Sequence, residues 1–180
     1  MTGIHWKNEL TPQERGNVLE LRVGLGHDTH RLGGPGPIMI GGIAVPFDRG
    51  ALGHSDADVL LHAMTDALLG AAGLGDIGQS FPDTDPANKG KDSAEMLASA
   101  WTAVRQGGWR LVNLDAVVFA QRPKIAPYRQ AIRCRVAEIL GVDPERVSVK
   151  GKTGEGVGPI GREEAVAAEC VALLIRDEGL

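Results

Sequence analysis

Cysteine is almost missing from this chain of 180 residues, with only Cys134 and Cys170, far apart and each inside an apolar stretch. No CxxC pair and no zinc-ribbon spacing occurs, so the expectation is two buried, reduced thiols and no disulfide framework. A continuous apolar run of about 18 residues is also lacking, which excludes an ordinary membrane-spanning helix. Lys and Arg are not clustered and the net charge is -4, so the electrostatic footprint of a nucleic-acid binder is missing. There are no internal repeats and no low-complexity tract. Residues 1–21 mix both charges without an apolar core or an Arg/Ser bias, and do not read as a signal or transit peptide. They read as a poorly ordered or partner-dependent extension that Trp6 could anchor. A length of 180 residues suits one domain, placed here over residues 22–178.

What is present alternates between strand-like and helix-like stretches. Arg22 to His27 reads as a strand leading into Asp28-Thr29-His30. Ile38–Ile40 and Ile43–Val45 flank Gly41-Gly42, a two-residue hairpin turn. Ser55 to Gly73 is expected to be a helix, capped by Ser55 with Asp58 as capping-box partner. Ser93 to Gly107 is a second, capped by Ser93, and Pro127 to Leu140 a third. Leu111–Ala120, Arg146–Lys152 and Ala165–Ile175 read as strands, the last apolar on both faces and therefore central. The expected fold is α/β (α+β): a mixed four-stranded sheet covered on one face by helices, plus a small β-hairpin.

The chemistry is concentrated in a few places. On an extended segment the side chains of Asp28 and His30 point to one face. His62, from a helix, would complete a three-ligand metal site with an open fourth position, which suits catalytic zinc. Asp58 and Asp66 lie four residues before and after His62, so either could hold its second ring nitrogen; capping by Asp58 and solvation of Asp66 are the alternatives. His54, at the helix start, is either a structural hydrogen-bonder or a phosphate contact. The loop 73–86 brings glycines together with Asp76, Asp83 and Asp85, which suits either Asx turns or a hard cation beside a phosphate. Gly151-Lys152-Thr153 lacks the glycine five residues upstream that a Walker A loop requires. A lysine, a hydroxyl and Glu155 at a strand end still suit polyphosphate with Mg²⁺.

Taken together, the stretches GHDTHRL, GALGHSDADVLLHAMTDALLGAAGLGDIG, FPDTDP, KGKDS, AQRPK and, more loosely, VKGKTGEGVGPIGR resemble the 2-C-methyl-D-erythritol 2,4-cyclodiphosphate synthase family from Arg22 to about Ile175. The resemblance implies a cytoplasmic homotrimer with active sites between subunits and no nucleic-acid or membrane partner. It implies a cytidine diphosphate substrate whose 2-phosphate attacks its own β-phosphate, releasing CMP. It assigns Asp28, His30 and His62 to Zn²⁺, and Glu155 to Mg²⁺ or Mn²⁺ on the diphosphate. His54 and Thr153 match positions that stabilise the transition state; Asp66 is taken as the outer partner of His62 from its helical spacing alone. Substrate contacts are implied for Thr29, Ser55, Asp76, Ile77, Gly78 and the wall Phe81, Pro82, Asp83, Thr84 and Asp85. They are further implied for the cytosine stretch Ala120, Lys124, Ile125 and Ala126, for Lys152 and Gly154, and for Arg162. Two departures stand out. One hydroxyl of the family's Thr-rich stretch is replaced by Lys152, and the aromatic residue often found before Arg162 is replaced by Pro159. That aromatic and the arginine line an axial cavity for an isoprenoid diphosphate in the family. A metal-dependent phosphohydrolase and a non-catalytic isoprenoid-diphosphate-binding trimer are the competing functions.

Overall fold

The computed structural model describes residues 19–53, 55–82, 84 and 90–177. Five strands form one mixed sheet in the order β4-β1-β7-β5-β6. They are β1 (Leu19–Pro35), β4 (Arg49–Leu52), β5 (Arg110–Phe119), β6 (Val147–Lys152) and β7 (Ala165–Asp177). A separate hairpin pairs β2 (Ile38–Ile40) with β3 (Ile43–Val45). β7 is central, as its apolar sequence requires, and pairs antiparallel with both β1 and β5, while β5 and β6 run parallel. The sheet therefore has five strands, one more than expected. The extra edge strand is β4, whose four residues Arg-Gly-Ala-Leu carry no alternation and are recruited only by pairing with β1.

Element boundaries also moved. β1 is 17 residues long and includes the Asp-Thr-His segment. Leu19 and Leu21 pair with Asp177 and Ile175, so the folded unit begins before residue 22. Residues 1–18 lie outside the described set, and so does the role of Trp6. The hairpin turn is as expected: Gly41 and Gly42 both adopt positive φ, 64° and 73°.

Five helices accompany the sheet among the described residues: α1 (Val59–Ala72), α2 (Ile77–Ser80), α3 (Ser93–Gln106), α4 (Arg129–Leu140) and α5 (Gly158–Gly161). α1 lies on β1 and β7, α4 on β6, and α3 packs beside both. The cap of α1 is Asp58, not Ser55: its carboxylate accepts from the amides of Leu60 and Leu61 at 3.1 Å each. The same carboxylate accepts from Gly41 (2.9 Å) and Gly42 (2.6 Å), which fastens the hairpin turn to the helix start. Four amide donors repay the burial of this side chain, which is wholly inaccessible. Asp92 takes the place expected of Ser93 as cap of α3.

The inner face of the sheet is closed by side chains such as Leu61, Met64, Leu68, Leu97, Val118, Val166 and Leu174, all fully buried. The outer face is open, apolar along the first half of β1 and charged further along, where His27 faces Glu169 and Lys150 pairs with Asp115. Leu19, Leu21, Val23 and Leu25 on β1 are 54–69% exposed, and Val171 on β7 is 42% exposed. Cys170 is buried as expected; Cys134, on α4, is exposed, because its helical position turns away from the sheet.

Candidate metal and nucleotide sites

Three donor atoms converge where α1 crosses β1. His62 Nδ1 lies 2.9 Å from Asp28 Oδ2 and 3.1 Å from His30 Nε2, and His30 Nε2 lies 3.0 Å from Asp28 Oδ2. Among the described residues this is the one cluster of His, Cys, Asp or Glu placed to hold a metal ion. The triangle is nearly equilateral. Four donors about 2.0–2.1 Å from a tetrahedral ion stand roughly 3.3 Å apart, so the three atoms nearly match one face of such a shell. The residues present therefore fit zinc or a similar divalent ion.

Close backbone approach makes this convergence possible. A Cβ added at Gly24 would come within 1.9 Å of the Ala67 carbonyl oxygen, and one at Gly26 within 1.9 Å of the Ala63 oxygen. Ala63, Ala67 and Ala71 recur every four residues, so α1 presents only methyls and bare backbone to the glycines of β1. His62, next to Ala63, is thereby lowered onto the Asp28–His30 face.

The hydrogen bonds behind His62 orient it. Its Nε2 lies 2.9 Å from Ser93 Oγ and 3.1 Å from Ser55 Oγ. Ser93 donates its own proton to the Asp56 carboxylate in a short contact. The serine oxygen is left to accept from Nε2–H, so Nδ1 keeps its lone pair for the metal position. Burial raises the Asp28 pKa, yet hydrogen bonds from His30 and His62 outweigh it and hold the carboxyl well below the usual range. Burial likewise opposes the charged form of His62, but Asp28 more than offsets this and the pKa is raised. Protons and a divalent cation therefore compete for one set of lone pairs.

Asp66 is not the outer partner of His62. Its carboxylate accepts from the Ile77 amide at 2.7 Å, which ties α1 to the following loop. Ser93 and Asp56 fill the role instead, and their contribution was missed because they come from a different helix and the loop before α1. Ser55 is displaced from its expected cap to the His62 ring.

The triad opens into a cleft of about 550 Å³ also lined by Leu52, Gly53, Ser55, Ile77, Gly78, Phe81 and Met96. Asp76 caps α2 and accepts from Gln79 N at 2.8 Å. Thr29 lies outside these walls, its hydroxyl 3.1 Å from His27 Nε2. Pro82 and Thr84 are exposed, while His54, Asp83 and Asp85 lie outside the described residues.

A second cavity, of about 160 Å³, gathers Ala120, Lys124, Ile125, Ala126, Gly151, Lys152 and Thr153, all singled out in the sequence except Gly151. Arg129, which the sequence reading passed over, joins them from the first turn of α4. Beyond the cavity Thr153 donates to Glu155 at 2.6 Å, and Glu155 holds a positive φ of 48°. Gly154 packs against Gly161, where a Cβ would come within 2.4 Å of the backbone nitrogen. Arg162 lines neither cavity; it pairs with Glu164 at 2.9 and 3.1 Å.

The two cavities share no residue. Asp28 pairs with Ala168, Ala168 with Val118, and Val118 with Gly151. That row spans three strand spacings, about 14 Å.

A five-stranded mixed sheet that carries a candidate three-donor metal site on its helix side, and a lysine-lined cavity three strands away, defines an α/β protein with two candidate ligand sites. The chain belongs to the YgbB family, whose model matches residues 21–175. It is 56% identical over 157 residues to the 2-C-methyl-D-erythritol 2,4-cyclodiphosphate synthase of Gemmatimonas aurantiaca, covering 87% of this chain and 95% of that one. Among solved structures it is similar to the bifunctional IspDF of Campylobacter jejuni, with a TM-score of 0.86 and 42% identity. That match covers 88% of this chain and 43% of the longer one. It is also similar to a 2C-methyl-D-erythritol-2,4-cyclodiphosphate synthase in its CDP-bound form, with a TM-score of 0.78 and 40% identity over 85% of this chain and 99% of that one.

Proposed function

We propose that this protein is a phosphorus–oxygen lyase that converts 4-diphosphocytidyl-2-C-methyl-D-erythritol 2-phosphate to 2-C-methyl-D-erythritol 2,4-cyclodiphosphate, in cytoplasmic isoprenoid synthesis. An oxygen of the 2-phosphate bonds to the β-phosphorus, the bond from that phosphorus to the bridging oxygen of CMP breaks, and CMP leaves with the electron pair. The attacking phosphate is already anionic at neutral pH, so no general base is required. The work left to the protein is alignment and charge neutralisation.

The observation that carries this reading is the triangle of Asp28, His30 and His62, in a chain 56% identical to a named synthase. These three residues would hold zinc, and Glu155 would hold Mg²⁺ or Mn²⁺ on the diphosphate. When bound, the cations supply Lewis acidity and neutralise phosphate charge. His54 and Thr153 would stabilise the charge that develops at the transferred phosphorus, with Ser55 on the phosphate. Lys124 and Lys152 supply positive charge in the second cavity, and the backbone of 120–126 would receive cytosine. Asp76, Ile77, Gly78 and the wall Phe81 to Asp85 would hold the methylerythritol and exclude water, which would otherwise hydrolyse the diphosphate.

Two observations support a homotrimer with sites between subunits. A metal triad about 14 Å from the same chain's nucleotide cavity is completed more readily by a neighbour's cavity than by its own. The open apolar face of β1 and β7 gives such neighbours a surface to bury. Pro159 in the short helix α5, and Arg162 held by Glu164, give no support to an axial isoprenoid-diphosphate site.

A phosphorus NMR time course with the diphosphocytidyl substrate, Zn²⁺ and Mg²⁺ tests the proposal. Cyclic diphosphate growing in step with CMP is expected. CMP with an open-chain bisphosphate would instead mean a phosphohydrolase. An unchanged spectrum from metal-loaded protein would leave a binding trimer.

A further inference from the structure

Glu163 adopts a φ of +58°, in the left-handed region that residues bearing a Cβ rarely enter. Such a conformation persists only where its surroundings over-determine it, and here four hydrogen bonds converge on one residue. Arg49 donates to the Glu163 carbonyl oxygen at 2.9 Å and makes a short contact with Oε2. Arg122 grips the carboxylate in a two-point fork, Nε to Oε1 at 2.7 Å and Nη2 to Oε2 at 2.8 Å. Both guanidinium groups also lie against the Phe47 ring, 5.2 and 5.6 Å from its centroid.

The partners of this carboxylate come from separate parts of the chain. Arg49 opens β4, the strand that leads into Leu52 and Gly53 of the metal cleft. Arg122 stands in the middle of the 120–126 segment, between Ala120 and Lys124, which both line the second cavity. Arg122 does not line that cavity itself. The segment is anchored near its start by Ala120 N to Lys152 O (2.9 Å) and near its end by Tyr128 N to Ile125 O (2.9 Å). Between those anchors the Arg122–Glu163 fork is a side-chain tie to the turn that joins α5 to β7. Without the Glu163 carboxylate, the two guanidinium groups would keep, among the described residues, only Asp48, 3.8 Å from Arg49, as a nearby counter-charge, and the segment would lose its side-chain tie.

We infer that Glu163 is a positioning residue for the nucleotide cavity, holding the 120–126 segment in its binding shape through Arg122. The inference rests on the reading of that cavity as the cytidine diphosphate site. It deepens that reading by assigning a role to a residue that touches no ligand. The left-handed backbone is maintained so that one carboxylate can meet both arginines.

The test uses CDP binding by calorimetry, with the full chain and its Glu163→Gly, Arg122→Ala and doubly substituted forms. Glycine removes the carboxylate while accepting the positive φ without strain. Glu163→Gly is expected to weaken CDP binding about tenfold, with a thermal midpoint equal to or above that of the parent protein. Arg122→Ala should give a similar loss, and the double variant little more, since the two act as one unit. In turnover the single variants should raise KM and leave kcat near the parent value. A merely structural Glu163 would show the opposite pattern: a lowered thermal midpoint with CDP affinity intact. CDP affinity unchanged in Glu163→Gly, or losses that simply add in the double variant, would overturn the positioning role. Failure of the parent protein itself to bind CDP would instead overturn the reading of the cavity, and the inference with it.

Discussion

The Gly26 Cα and the Ala63 carbonyl oxygen are so close that a methyl on Gly26 would stand 1.9 Å from that oxygen. The contact sets the height of α1 above β1, and so the distance from His62 to Asp28 and His30. Gly26→Ala is expected to push the helix outward, at a cost of about 1–3 kcal/mol or more. The donor triangle would widen with it. Thermal unfolding together with a zinc titration checks this: both midpoint and affinity should fall. A variant of unchanged zinc affinity would mean that the triad does not depend on this contact.

Metal analysis of the purified protein should find about one zinc per chain, and His62→Ala should lose it, since the triangle then has only two corners. Ser93→Ala should bind zinc more weakly by about 10–100-fold, the usual effect of removing an outer partner of a metal-bound histidine. Asp66→Asn, in contrast, should leave zinc affinity near that of the parent protein, because its carboxylate is spent on the Ile77 amide.

The exposed apolar face of β1 offers a direct check of assembly. Leu25→Lys, at a side chain 69% exposed in the single chain, places a charge where the proposed neighbours meet. Light scattering should report a trimer for the parent protein and a monomer for the variant. If the variant stays trimeric, this face is not the interface.

The two thiols should behave differently. A thiol reagent is expected to label Cys134 in the folded protein and Cys170 only on unfolding. Burial pushes the Cys170 pKa up to about 12 from an ordinary value of 9.0. Below pH 9 its thiol is neutral in both states and folding is unaffected. Between pH 9 and 12 the unfolded chain ionises first, so this residue lowers stability by about 1.4 kcal/mol per pH unit. Denaturant unfolding of Cys170→Ala should fall less steeply with pH over that window. Equal slopes would mean that the Cys170 thiolate is tolerated in the fold.

Most of the site's first contacts were legible from local chemistry. Asp28 and His30 share a face because a strand alternates with a period of two, and that holds wherever the strand lies. Lys152 and Thr153 were readable as polar residues at a strand end, whereas Lys124 came only from the family resemblance. The errors fell where one segment depends on another. Ser55 and Ser93 looked like helix caps by type and position. Asp58 and Asp92 displaced them, and the serines were drawn to the imidazole of His62. β4 went unseen because it has no pattern of its own and exists only through its pairing with β1.

The sequence by itself determined the order of the longer strands and helices, the glycine turn at Gly41-Gly42, the three candidate metal donors and the central place of β7. Each follows from periodicity or from a residue's own conformational preferences, which act over a few positions. Only the tertiary structure decided that α1 seats on Gly24 and Gly26, that Ser93 and Asp56 orient His62, and that Glu163 joins Arg49 to Arg122. It also decided that the candidate metal triad and the cavity lined by Lys124 and Lys152 lie three strands apart. These are contacts between segments as far as 114 residues apart in the chain. Their geometry is fixed by how the elements pack, which no local pattern encodes.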